Sequence, residues 1–201
     1  EDIHGGEDNP VVQQLLAMLD SGFCREYVAW LGALNEYYLR LEPAHGDGIK
    51  AYARALLHPY ILEAPVISRC YEKPLGYAGD YVVMTYLYWR RFEGHSLFAK
   101  AVHRASCWQE GSVAVRQRKD LLCDRIITKI RAQAGRSTAP VRILSVAAGP
   151  AQELYELLQG RDLPDVPIEF VLFDQDKQAL TLAQTRLLSI LQRRKLSTVS
   201  F

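Results

Sequence analysis

The residues best suited to chemistry are the loop Ala147-Ala148-Gly149-Pro150-Ala151 and the acidic tip Asp174-Gln175-Asp176. The loop has almost no side-chain bulk, so a ligand can approach its backbone closely. It follows an apolar, β-branched run, Val141 to Val146, and precedes a helix start at Gln152. The first N–H groups of such a helix have no partner inside it. The acidic tip closes a second apolar run, Ile168 to Phe173. An open loop after one strand and a carboxylate at the end of the next form half of a nucleoside-binding crevice. Asp174 would accept the ribose hydroxyls there. Its ordinary reading is a turn acid, and the loop upstream favours the ribose role over it.

The spacing also narrows the ligand. The dinucleotide fingerprint G-x-G-x-x-G is absent, and Gly149 stands alone among Ala147, Ala148 and Ala151. A pyrophosphate needs close backbone approach at several points, so NAD and FAD are disfavoured. A nucleoside without phosphate, such as the sulfonium S-adenosylmethionine, suits the loop better. Asp176 is expected to cap the following helix, with Ala179, Leu180, Ala183, Leu187 and Ile190 inward.

Strand, helix, strand, helix over 141–201 predicts a doubly wound parallel sheet, hence an α/β fold. Residues 1–140 show helical periodicity only and predict an N-terminal helical cap. Asn9-Pro10 should start its first helix and Ser21-Gly22 should interrupt it. Residues 43–48 read as a loop. The helix after it would turn Ile49, Tyr52, Ala53, Leu56, Leu57 and Tyr60 inward, with Pro59 kinking or ending it. A later helix, 94–108, would bury Phe98 and Val102.

Three further sets of residues could carry chemistry. Tyr71 to Tyr81 packs glycines, a proline, tyrosines and Asp80 into a span without periodicity, as a specialised loop does. Its tyrosines could wall a pocket and Asp80 could orient a polar ligand; in the plainer reading Asp80 caps the next helix. His103 is a candidate base, or a hydrogen-bonded core residue. Residues 112–136 hold seven basic side chains against two acids. That is a solvated helix face, or it turns Arg116 or Arg118 toward the crevice to fork a carboxylate.

Bulk composition excludes little more. The 201 residues are 49% hydrophobic with a formal charge of +1, enough for a real core and no general case for nucleic acid. No apolar run is long enough to span a bilayer. Cys24, Cys70, Cys107 and Cys123 are far apart, without a CxxC pair. They read as reduced thiols of a cytoplasmic protein, with no metal site.

Residues 141–183 resemble the first two motifs of class I S-adenosylmethionine-dependent methyltransferases. The first appears as Ser145-Val146-Ala147-Ala148-Gly149-Pro150-Ala151, with Ser145 where an acid is common and Ala147 where a glycine is common. The second appears as Asp174-x-Asp176-x-x-Ala179-Leu180-x-x-Ala183. Lys73-Pro74-x-Gly76-Tyr77-Ala78-Gly79-Asp80-Tyr81 and Ala114-Val115-Arg116-x-Arg118 resemble the region before the Rossmann-like domain in bacterial enzymes of 3-hydroxy fatty acid methyl ester synthesis. The resemblance implies methyl transfer from S-adenosylmethionine to a small-molecule or fatty-acyl carboxylate. Ala147, Ala148, Gly149, Pro150, Asp174, Gln175, Tyr77, Tyr81 and Arg116 would hold the cofactor. Tyr77 and Arg118 would hold the acceptor. His103 or Asp80 would serve as base if the acceptor were an amine or hydroxyl.

A class I domain has about seven strands, whereas the pattern here supplies two, too few for a covered sheet. The resemblance therefore implies the first half of a Rossmann-like sheet, residues 141–201, truncated and without activity alone. More chain or a partner, such as a second copy in a homodimer, would complete it. Two other functions compete: a non-catalytic binding or scaffolding module with a degenerate loop, and a nucleic-acid methyltransferase using the basic helix.

Overall fold

The computed structural model describes residues 9–41, 43–134, 136, 139–194 and 198–200. The described chain is α/β and mostly helical. Its helices are α1 (Pro10–Ser21), α2 (Phe23–Leu39), α3 (Pro43–Ile61), α4 (Pro65–Glu72), α5 (Tyr81–Trp89), α6 (Leu97–Ser106), α7 (Glu110–Ala134), α8 (Gln152–Gly160) and α9 (Lys177–Arg194). Its strands are β1 (Val141–Val146), β2 (Ile168–Phe173) and β3 (Val199–Ser200). None of these helices is long and apolar enough to cross a membrane. No disulfide joins the four cysteines.

The chain forms two compact units, Glu1–Ala78 with Trp89–Val113, and Gly79–Tyr88 with Ala114–Phe201. The division therefore differs from the expected boundary at residue 140. Nearly all of α5 and most of α7 group with the sheet, because α7 adds Ile127 and Ile130 to the sheet's core. The Cys123 thiol also donates to the Glu153 carbonyl (3.1 Å), and Arg161 pairs with Asp124 (2.5 Å).

In the first unit, Asn9 Oδ1 accepts from the Val11 N–H at 2.9 Å, and Pro10 occupies the first turn of α1. Gly22 separates α1 from α2 as expected. The expected loop at 43–48 is instead the start of α3: proline fits a first helical turn, where its missing N–H has no partner to lose. Pro59 stands near the C-terminus of α3, which ends two residues later. Tyr52, Leu56 and Tyr60, expected inward, are exposed, and so is Phe98. On α6 the buried side is taken by Ala99, Ala101, Val102 and Ala105, small residues that let the helix pack closely. Arg104 forks Asp20 at 2.6 and 2.7 Å, and Trp108 Nε1 donates to the same carboxylate at 3.1 Å. Burial would raise the Asp20 carboxyl; these bonds outweigh it and hold it below its ordinary value.

In the second unit, β1 and β2 pair in parallel from Val141↔Ile168 to Val146↔Phe173. β3 extends the expected pair of strands to three, in the order β1-β2-β3, with Ile168 opposite Val199. One sheet face packs Val141, Ile168 and Phe170 against Leu154, Leu157 and Leu158 of α8 and Ala183, Leu187 and Ile190 of α9. The other face shows Leu144, Val146 and Phe173, each 64% exposed. Among the described residues no strand pairs with the outer edge of β1.

Candidate functional site

The loop after β1 has an unusual backbone. Ala147 (φ 54°), Gly149 (φ 53°) and Ala151 (φ 47°) are all left-handed. Glycine adopts this freely, but each alanine incurs roughly 1–2 kcal/mol from its Cβ. Strain of this kind persists only where the surroundings fix it. Here Ala148 N–H donates to the Phe173 carbonyl (3.1 Å), and Ala151 N–H donates to the Ala148 carbonyl (2.9 Å). Arg186 of α9 braces the far end. It donates to Gln152 Oε1 at 2.8 Å and lies 4.0 Å from the centre of the Tyr155 ring.

Asp174 is tied to this loop directly. Its Oδ2 accepts from the Gly149 N–H at 2.7 Å, and its Oδ1 accepts from the Asp176 N–H at 2.9 Å. A carboxylate has about four acceptor directions, so each oxygen keeps capacity for one more donor. Asp176 accepts from the Gln178 N–H at 2.8 Å and caps α9, as its position predicts. The N–H groups of Ala148, Gly149 and Ala151 are thus committed within the protein, and Pro150 has none. No phosphate cradle remains in those four residues.

Tyr81 joins this corner, because its hydroxyl donates to Gln178 Oε1 at 3.1 Å. Gln175 is exposed at the tip. Asp80 is fully buried, and its Oδ1 accepts from the Val82 and Val83 N–H groups at 3.0 Å each. Arg116 donates to the Leu87 carbonyl at 3.1 Å. The two side chains therefore serve the opposite ends of α5, where backbone groups lack helical partners. The geometry gives Asp80 the work of a cap for α5 and Arg116 that of a brace near its C-terminal end.

His103 and Tyr77 belong to the first unit. Tyr77 is half-buried in the connection between α4 and α5. His103 is fully buried, and its Nδ1 accepts from the Val66 N–H at 3.2 Å. Val66 lies in the first turn of α4, where the capping residue Ala64 offers no side-chain oxygen. Burial pushes the imidazole down to about 4. These facts make His103 a buried, neutral cap for α4, the second of the two readings open from the sequence.

A concavity of about 460 Å³ opens beside the loop, wholly within the second unit. Ala147, Ala148, Gly149, Pro150 and Arg118 line it, which brings together five of the residues singled out from sequence. Four consecutive residues of β1, Ile143 to Val146, line it too. Consecutive strand residues point to opposite faces, so the concavity follows the outer edge of β1. Its polar lining adds Glu153, Ser145 and Tyr88. Burial pushes the Glu153 carboxyl up, while its own backbone N–H, the nearby Arg118 and the Ser145 hydroxyl pull it back. Tyr88, raised by burial, accepts a hydrogen bond from Arg118. Sequence reasoning missed Glu153 and Tyr88. An acid in the first turn after an open loop was the available signal for Glu153; nothing local marked Tyr88, which sits in an apolar helix. Comparison with protein-family models, with curated proteins and with solved structures finds no match for this chain.

Proposed function

We propose that this protein is an S-adenosylmethionine-dependent methyltransferase that esterifies a small-molecule or fatty-acyl carboxylate. The reading takes β1-α8-β2-α9-β3 as the first part of a Rossmann-like nucleoside site. The observation that carries it is the bond from the Gly149 N–H to Asp174 Oδ2. It locks the open loop to an acid whose remaining lone pairs suit a ribose diol. The commitment of the Ala148, Gly149 and Ala151 N–H groups to the protein argues for a nucleoside without phosphate. Bound S-adenosylmethionine would supply an electrophilic methyl carbon on sulfonium.

The chain's own work is binding, orientation and water exclusion. A carboxylate acceptor attacks with its own oxygen; the carbon–sulfur bond breaks with its electron pair going to sulfur, and no proton needs to be removed. That chemistry asks for no base, so it is compatible with Asp80 acting as the cap of α5. Calorimetric titration of the chain with S-adenosylmethionine tests the reading. Saturable binding that Asp174→Ala abolishes is expected, and no binding would overturn it. Incubation with a methyl-labelled donor and a panel of carboxylic acids then separates transfer from mere binding.

A further inference from the structure

A chain of polar side chains holds the loop from its far end, and the ribose assignment makes no use of it. Gln152 opens α8 directly after the left-handed Ala151, and its side chain is buried. Ala151, in the capping position, makes no side-chain cap bond. The Gln152 amide is fixed at both ends. Its Oε1 accepts from Arg186 Nη2 of α9 at 2.8 Å, and its Nε2 donates to Glu156 Oε1, one turn further along α8, at 2.9 Å. Glu156 Oε2 accepts from Lys119 Nζ of α7 at 2.5 Å, and the same ammonium lies 2.9 Å from Asp120. Arg186 also sits over the Tyr155 ring and reaches to 3.5 Å from the Pro150 carbonyl. Donors and acceptors therefore alternate from α9 through α8 to α7, and two cations answer two acids.

The order of these groups is specific. The side chain at 152 accepts from a guanidinium on one side and donates to a carboxylate on the other, which an amide can do and a carboxylate cannot. A carboxylate at 152 would face Glu156 with no proton between them. The helix that carries Arg186 is tied to the loop a second time. Asp174, just before α9, takes the Gly149 N–H at 2.7 Å, and Asp176 caps that helix. We propose that Gln152, with Glu156 and Arg186 as its partners, is a positioning residue: it holds the left-handed turn at Ala151 and so keeps the Gly149 N–H aimed at Asp174. It acts on the nucleoside through the backbone of the loop. This rests on the nucleoside reading above, because the geometry it holds is that of the ribose contact.

The test exchanges the amide and the acid. Gln152→Glu should weaken binding of S-adenosylmethionine by about tenfold in titration calorimetry, the scale of one hydrogen bond to a charged group. The pair Gln152→Glu with Glu156→Gln restores the alternation. The carboxylate at 152 then accepts from Arg186 and from the amide at 156, whose oxygen accepts from Lys119. This pair should recover most of the affinity. Amide hydrogen exchange reads the loop without a ligand. In Gln152→Glu the N–H groups of Gly149 and Ala151 should exchange about tenfold faster while those of the β1–β2 ladder keep their rates, and the exchanged pair should reverse this. Unchanged loop amides, acceleration shared equally with the ladder, or an exchanged pair that recovers nothing would overturn the positioning role. Binding to the unsubstituted chain that Gln152→Glu leaves intact overturns that role alone and leaves the nucleoside reading standing. No binding to the unsubstituted chain overturns both.

Discussion

At the residue scale, the loop is the most informative place. Ala147 stands exposed at φ 54° and Gly149 at φ 53°. A glycine at 147 would relieve the Cβ strain and give back part of the gain through a looser unfolded chain. Ala147→Gly should therefore raise the urea midpoint, by roughly 0.5–1 kcal/mol of stability. A lower midpoint would mean that the methyl group is held by contacts that outweigh its strain. The small-residue character of the loop was legible in the sequence. Its left-handed turns at two alanines were not, because alanine does not signal positive φ.

His103 makes a second residue-scale case. It is neutral when folded, with its imidazole lowered from 6.5 to about 4. An unfolded chain therefore binds a proton between those values that the folded chain refuses. Stability is full above pH 6.5 and falls as pH drops toward 4, by roughly 3 kcal/mol from this group. Urea midpoints at pH 7 and pH 4.5 should differ more for the unsubstituted chain than for His103→Asn. Parallel pH dependence in the two proteins would remove His103 from the account. A sequence shows a histidine on an amphipathic helix. It does not show that the N–H of Val66, 37 positions earlier, will need an acceptor.

At the scale of elements, α5 shows how side chains of chemical promise are used for structure. Its sequence, YVVMTYLYW, is apolar nearly throughout, so its ends must be satisfied by other residues. Asp80 meets the first N–H groups, and Arg116 of α7 meets the Leu87 carbonyl near the end. Asp80→Ala should cost about 1–2 kcal/mol of stability, as the loss of a strong cap does. Asp80→Asn, which keeps the accepting oxygen, should cost clearly less in the same denaturation experiment. Equal costs would show that the charge, not the cap, is what the helix needs. The capping role of Asp80 was one of the two readings open from the sequence. The partnership of Arg116 with α5 was not open, since the residues are 29 apart and share no pattern.

At the scale of the whole molecule, the sequence by itself determined the strands at 141–146 and 168–173, the helices after each, the capping roles of Asn9 and Asp176, and the pairing of an open loop with Asp174. These are local matters. Alternation, small residues and capping acids act within a few positions of themselves, and their physics does not depend on distant chain. Only the tertiary structure decided the rest. It moved α5 and most of α7 into the unit of the sheet, because Ile127 and Ile130 complete a core that the strand pattern leaves open. It added β3, too short to show an alternation of its own. It spent Arg116 and His103 on distant helix ends, and it brought Glu153 and Tyr88 beside Arg118 in one concavity. Each of these outcomes turns on which residues meet across long stretches of chain. Sequence spacing carries no record of such meetings.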